Sequence, residues 1–125
     1  MPKKRRYYRG KKVSKGELRI AKSLETRKVR FEMEKTFKDC RGRNERRPLR
    51  FDFYLLDYNI LIEYDGEHHY EPVNKGNRAR YVHERIKIND EIKSKYIREK
   101  GIGLLRIPYW EYDQIDEILD GIIKQ

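Results

Sequence analysis

The sharpest alternation of apolar and polar positions runs from Leu49 to His69, LRFDFYLLDYNILIEYDGEHH. Phe51, Phe53 and Leu55 recur at every second position in the first run, and Ile60, Ile62 and Tyr64 do so in the second. Asp57, Tyr58 and Asn59 supply a turn signal between the two runs, so the spacing predicts a strand pair with those six side chains on a core face. A two-residue turn flanked by Leu56 and Asn59, or a four-residue turn over 56–59, puts Asp52 opposite Glu63 and Arg50 opposite Asp65; a three-residue turn slips that register by one. Asp52, Glu63 and Asp65 then gather on the other face. Cross-strand neighbours lie about 5 Å apart at their β-carbons and like charges repel there, so three clustered carboxylates call for a counter-charge. A hard divalent cation with oxygen ligands, Mg²⁺, is the simplest one.

Elsewhere the periodicity is helical or short. Ser14-Lys15-Gly16-Glu17 is a capping-box pattern, and Leu18, Ala21 and Leu24 carry a helix to about Thr26. Val29, Phe31 and Met33 alternate with Arg30, Glu32 and Glu34, which predicts a strand near 29–36. Polar loops follow over Lys38–Pro48 and Gly66–Arg80. A long helix is expected over Ala79–Lys100, with Gly101 as its stop. Leu104, Leu105 and Ile107 form a short strand ended by Pro108. Asp113 can cap a last helix carrying Ile115, Ile118, Leu119, Ile122 and Ile123. The order αβββαβα predicts an α/β sandwich: a mixed four-stranded sheet flanked by helices, in one domain over 14–125. No internal repeat is visible.

The acidic pieces, Phe51-Asp52-Phe53 and Glu63-Tyr64-Asp65, resemble the PD-(D/E)XK nuclease core, and the resemblance spans roughly residues 14 to 120. Asp65 stands where that pattern has lysine. The continuation Gly66-Glu67-His68-His69 is more similar to the very-short-patch-repair (Vsr-like) nucleases and to small phage and homing endonucleases, in which a histidine follows the second strand. The resemblance implies a restriction-endonuclease-like αβββαβα core and a metal-dependent DNA endonuclease. It also implies Mg²⁺ as cofactor, with Mn²⁺ as a substitute, and double-stranded DNA as partner.

Charge sharpens this expectation. The 125 residues carry a formal charge of +10, and residues 1–16 hold eight Lys or Arg and no acid. Residues 1–13, with Lys3, Lys4, Arg5, Arg6, Arg9, Lys11 and Lys12, read as a flexible basic arm. A second cluster, Arg41, Arg43, Arg46, Arg47 and Arg50, interrupted only by Glu45, precedes the acidic strand pair. Two basic segments around a carboxylate patch fit a phosphate backbone delivered to a metal site. No apolar run approaches the roughly 20 residues of a membrane span, the basic start lacks an apolar signal region, and the lone Cys40 excludes an internal disulfide. These features fit a phage- or bacterium-like protein of the cytoplasm.

Asp52 and Glu63 are the expected metal ligands. Asp65 either joins them, orients a histidine, or pairs with Arg50. His69, ahead of His68, is the expected general acid or base in place of the missing lysine, because imidazole titrates near neutral pH. Glu17 either caps its helix or reaches the metal site as a first-helix acid does in the resembled nucleases. Asp90, with Lys93 one turn on, either faces the site as in Vsr-like enzymes or is solvated. His83 reads as structural. Alternative functions are a nuclease specific for branched or mismatched DNA and a non-catalytic nucleic-acid-binding protein. Target sequence and oligomeric state are not legible, although a double-strand cut suits a two-fold homodimer.

Overall fold

Alternation and helical spacing translate into an α/β structure in the computed structural model, which describes residues 6–42, 47–67 and 76–123. Its elements are β1 (Tyr7–Tyr8), β2 (Lys11–Lys12), α1 (Lys15–Thr26), β3 (Phe31–Arg41), β4 (Pro48–Leu55), β5 (Ile60–Asp65), α2 (Asn77–Lys100) and β6 (Gly103–Pro108). A 3-10 segment, Tyr109–Gln114, and α3 (Ile115–Ile122) complete the chain. Strands β3, β4, β5 and β6 lie side by side in chain order. β3–β4 and β4–β5 are antiparallel and β5–β6 is parallel, so the sheet is mixed as expected. Among the described residues no helix is long and apolar enough to cross a membrane.

The expected register of the central pair holds: Phe53 faces Ile62, Tyr54 faces Leu61 and Leu55 faces Ile60. A four-residue loop closes it, with the Asn59 amide donating to the Leu55 carbonyl at 2.9 Å and Asn59 at φ +53°. Helix α2 stops at Gly101, whose φ of +69° suits glycine, and the Ile102 amide returns to the Ile97 carbonyl at 3.0 Å.

Two apolar layers sandwich the sheet. Ile20, Ala21 and Leu24 of α1 and Ile115 and Leu119 of α3 pack on Phe53, Leu55, Ile62 and Ile107. On the opposite face Ile97 of α2 packs with Cys40, Leu49, Phe51 and Leu61. The alternation predicted Phe51 beside Phe53, and the structure separates them. Pairing between β3 and β4 is interrupted between Met33–Phe53 and Lys35–Phe51, at Glu34 with φ +54°, opposite Asp52. The parity of β4 breaks at Asp52, and Phe51 ends under α2. Cys40 is fully buried there, and burial pushes its thiol up, away from nucleophilic use. Helix α2 is further tied to β3 by the Tyr96 hydroxyl, which donates to Asp39 at 2.6 Å.

The flexible arm expected over residues 1–13 is, from Arg6 onward, a docked hairpin; Lys3, Lys4 and Arg5 lie outside the described residues. Arg9 (φ +51°) and Gly10 (φ +78°) make the turn with both central residues left-handed, which matches strand twist in a two-residue hairpin. Tyr8 stacks on Phe31 at 6.3 Å and its hydroxyl donates to Glu25. The Arg9 guanidinium lies 4.4 Å from the Phe31 ring centre, Lys11 pairs with Glu34 at 3.0 Å, and Val13 is buried. Two of the hairpin's cations, Arg9 and Lys11, thus meet a ring and an acid.

Gly16 decides how α1 meets β5. The Tyr64 ring lies against its backbone, and a methyl group there would sit inside the ring's van der Waals surface. Gly16→Ala is therefore expected to destabilise the protein by about 1–3 kcal/mol through overpacking, and Gly16→Ala/Tyr64→Leu to recover part of that stability. Thermal denaturation measures both; an unchanged melting temperature in Gly16→Ala would contradict the close packing of α1 on β5.

Candidate active site

The site forms where two paired strands part. The β4–β5 ladder ends at Phe53–Ile62. Backbone amides one step beyond need acceptors, and the two carboxylates expected to face one another supply them. The Tyr64 amide donates to Asp52 Oδ2 at 2.8 Å, and the Asp52 amide donates to Glu63 Oε2 at 3.3 Å. Each acid thus reaches across to the other's strand, and the pair is held together by the backbone it completes. A cavity of about 650 Å³ opens beside them, bounded by β3, β4, β5 and α2, with Asp52, Glu63, Asp65, Asp90, Lys93, Arg47 and Arg50 among its lining residues.

Burial sets the electrostatics. Glu63 is only 5% exposed, and its charge is met by Lys93, whose Nζ donates to Glu63 Oε1 at 2.6 Å and lies 4.9 Å from the centre of the Phe51 ring. Asp65 is 3% exposed and lies within 3.1 and 3.3 Å of Arg106 Nη1 through its two oxygens. The other guanidinium nitrogen of Arg106 stands 3.2 Å from Asp90 Oδ1. The pairing of Asp65 with Arg50 is corrected: the strands have diverged before that position, and Arg50 turns instead to Glu34 at 3.4 Å. Of the four acids, Asp52 is the one with no basic partner among the described residues. Burial, then the charges of Glu63 and Glu17, push its pKa well above the ordinary carboxylate range.

Glu17 takes the capping role of its two readings. It closes the capping box, accepting from the Ser14 amide at 3.0 Å while its own amide donates to Ser14 Oγ at 3.2 Å. Its charge is nonetheless felt at Asp52, because the Gly16–Tyr64 contact brings the start of α1 against β5. Asp90 faces the site through Arg106, as the helix spacing allowed. His68 and His69 lie outside the described residues, as do Arg43 and Arg46. Of the other cations expected to hold DNA, Arg47 reaches the cavity, Arg41 Nε donates to the Lys38 carbonyl at 3.0 Å, and Lys12 is exposed.

Sequence reasoning gave Lys93 a minor place and missed Arg106. The signal for Arg106 was a lone cation in the apolar strand Leu104–Ile107, and parallel pairing sets it in register with Glu63. His83 is buried on α2, and its Nε2 has no hydrogen-bond partner among the described residues.

Among the described residues no three His, Cys, Asp or Glu side chains converge on one point. Asp52 and Glu63 do suit Mg²⁺, which keeps several waters and commonly takes one or two carboxylates together with substrate phosphate. The raised Asp52 pKa gives a test without substrate. Stability from such a group is fully present below the unfolded value of about 3.9 and is lost as pH rises through the folded pKa. Asp52→Asn is therefore expected to raise the melting temperature at pH 7 and to match the parent near pH 3. Mg²⁺ should stabilise the parent and leave the variant unchanged. Equal melting curves at both pH values would remove the strain assigned to Asp52. No protein-family model and no curated protein matches the chain.

Proposed function

We propose that the chain is a metal-dependent DNA endonuclease that hydrolyses phosphodiester bonds, of phage or homing type, with the restriction-endonuclease-like core that its acidic strand pair resembles. One observation carries the reading: Asp52 and Glu63 are clamped side by side where β4 and β5 part, at the wall of a cavity that Arg47 and Arg50 also line. A protein that only gripped phosphates would gain nothing from an under-neutralised carboxylate pair facing them.

Asp52 and Glu63 would hold Mg²⁺, which when bound lowers the pKa of water and offsets charge on phosphate oxygens. Arg47 and Arg50 orient the backbone over the cavity. Arg106 pairs with Asp65 and Asp90, which leaves Asp52 as the acid of the group without a basic partner among the described residues. His69 remains the proposed proton carrier for the attacking water or the leaving oxygen. Lys93 gains weight from the geometry: it brings to Glu63, from α2, the ammonium that Asp65 replaces in the strand. Its ammonium, if released from Glu63, would steady negative charge on the phosphate.

A second reading, a basic nucleic-acid-binding protein without catalysis, is favoured by that same contact, because Lys93 already neutralises Glu63. Supercoiled plasmid separates the two. Nicked or linear product is expected with Mg²⁺ and none with EDTA or with Asp52→Ala. His69→Ala and Lys93→Met should each lower turnover by roughly 10²- to 10⁴-fold, and metal affinity should fall for Asp52→Ala but hold for His69→Ala. Retarded yet intact plasmid across Mg²⁺ and Mn²⁺ would establish the second reading.

A further inference from the structure

The basic residues expected to hold DNA precede α1 or β4 in the sequence, yet the described residues gather another set of cations on α1. A groove of about 640 Å³ runs between α1 and the segment formed by the 3-10 turn and α3. Lys15, Arg19 and Lys22 line it from α1 at spacings of four and three residues, which places them on one side of the helix. Arg6 adds a fourth cation from the residue before β1. Tyr112 forms part of the opposite wall and orders two of them: Lys15 Nζ lies 4.2 Å and the Arg19 guanidinium 4.7 Å from its ring centre.

Of this set only Arg19 meets acids: Asp113 and Asp116, the latter also in the groove wall, each stand 3.7 Å from its guanidinium, while Asp120 pairs with Arg27. Arg6, Lys15 and Lys22 have no acidic partner within ion-pair reach among the described residues. Cations held around one concave surface repel each other unless an anion joins them. Their span along α1, about 10 Å at 1.5 Å per residue, covers roughly three phosphates of a strand at 3.4 Å each.

We propose that this groove is a second binding site for the sugar–phosphate backbone of nucleic acid, separate from the acidic cavity. The proposal rests on the DNA-binding part of the reading above and adds where a further stretch of backbone is gripped. The groove lies on the α1–α3 face of the sheet, whereas the cavity lies on the α2 face. Nucleic acid in the groove is therefore not the segment presented to Asp52 and Glu63. It is a flank that wraps around the protein or a second arm of the same molecule. Lys and Arg contacts of this kind position a backbone and carry no sequence preference.

The test compares Lys15→Gln/Lys22→Gln with Lys87→Gln/Lys95→Gln, a control that removes equal charge from the exposed side of α2. Fluorescence anisotropy of a labelled 40-base-pair duplex, without divalent metal, gives log K against log salt for the full-length proteins, and circular dichroism confirms that both variants fold. The groove variant should show a slope smaller than the parent's by up to about 1.8, near 0.9 for each phosphate that is no longer neutralised, with the control close to the parent. Equal slopes for both variants would overturn the proposal. So would saturation of the Lys15–Lys22 amide resonances by millimolar orthophosphate with no change in duplex binding, which would make the groove a small-anion site. If the parent bound no duplex at low salt, both this proposal and the nuclease reading would fall. If it bound with the expected slope difference yet cut nothing, only the nuclease reading would fall.

Discussion

The reciprocal bonds between Asp52 and Glu63 are the constraint on which the rest of the site depends. Where β4 and β5 part, two backbone amides lose their ladder partners, and buried amides left without acceptors are costly. The carboxylates that take those bonds are held at short range against their own repulsion. Everything around them manages that charge. Lys93 meets Glu63, Arg106 meets Asp65 and Asp90, and the residual strain is concentrated on Asp52. Removing one partner from a buried pair such as Lys93–Glu63 costs about 3–5 kcal/mol, because it strands a charge. The arrangement therefore resists casual substitution even before any ligand is considered.

The two faces of the sheet divide the work. On one, α1 and α3 close a dry core over Phe53, Leu55, Ile62 and Ile107. On the other, the apolar cover by α2 is gathered near Ile97, while the turns around Asn89, Asp90 and Lys93 line the cavity. The larger buried cluster lies on the first face, while the second carries the ionised groups of the cavity. Glu17 joins the two: it caps α1 on the core side while its charge bears on Asp52 through the close contact of Gly16 with Tyr64.

Charge on the outer surface follows a related logic. The hairpin before α1 is strongly basic, yet Arg9 lies over Phe31 and Lys11 pairs with Glu34, so part of that charge serves folding. Lys15 and Arg19 of α1 lie over Tyr112 instead, and Lys15 and Lys22 have no acidic partner among the described residues. A large net charge is thus divided between cations that pack and cations left to attract a polyanion.

Much of this was determined by sequence alone. Period-two alternation and a short turn were enough for the register that sets Asp52 against Glu63, because a one-residue slip would have exposed the whole apolar set. The capping box, the Gly101 stop and the apolar stripe of the last helix are likewise local signals, decided within a few residues. Tertiary structure decided what depends on contacts between distant segments. Phe51 left the face of Phe53 because a left-handed residue on the neighbouring strand, Glu34, interrupts the pairing opposite Asp52. Asp65 found Arg106 rather than Arg50 because β6 lies parallel to β5, and the hairpin docked because Phe31 offers Tyr8 and Arg9 an aromatic surface. Alternation reads one strand at a time. The partner of a buried charge is chosen by whichever segment the fold brings beside it, and that choice exists only once the layers have packed.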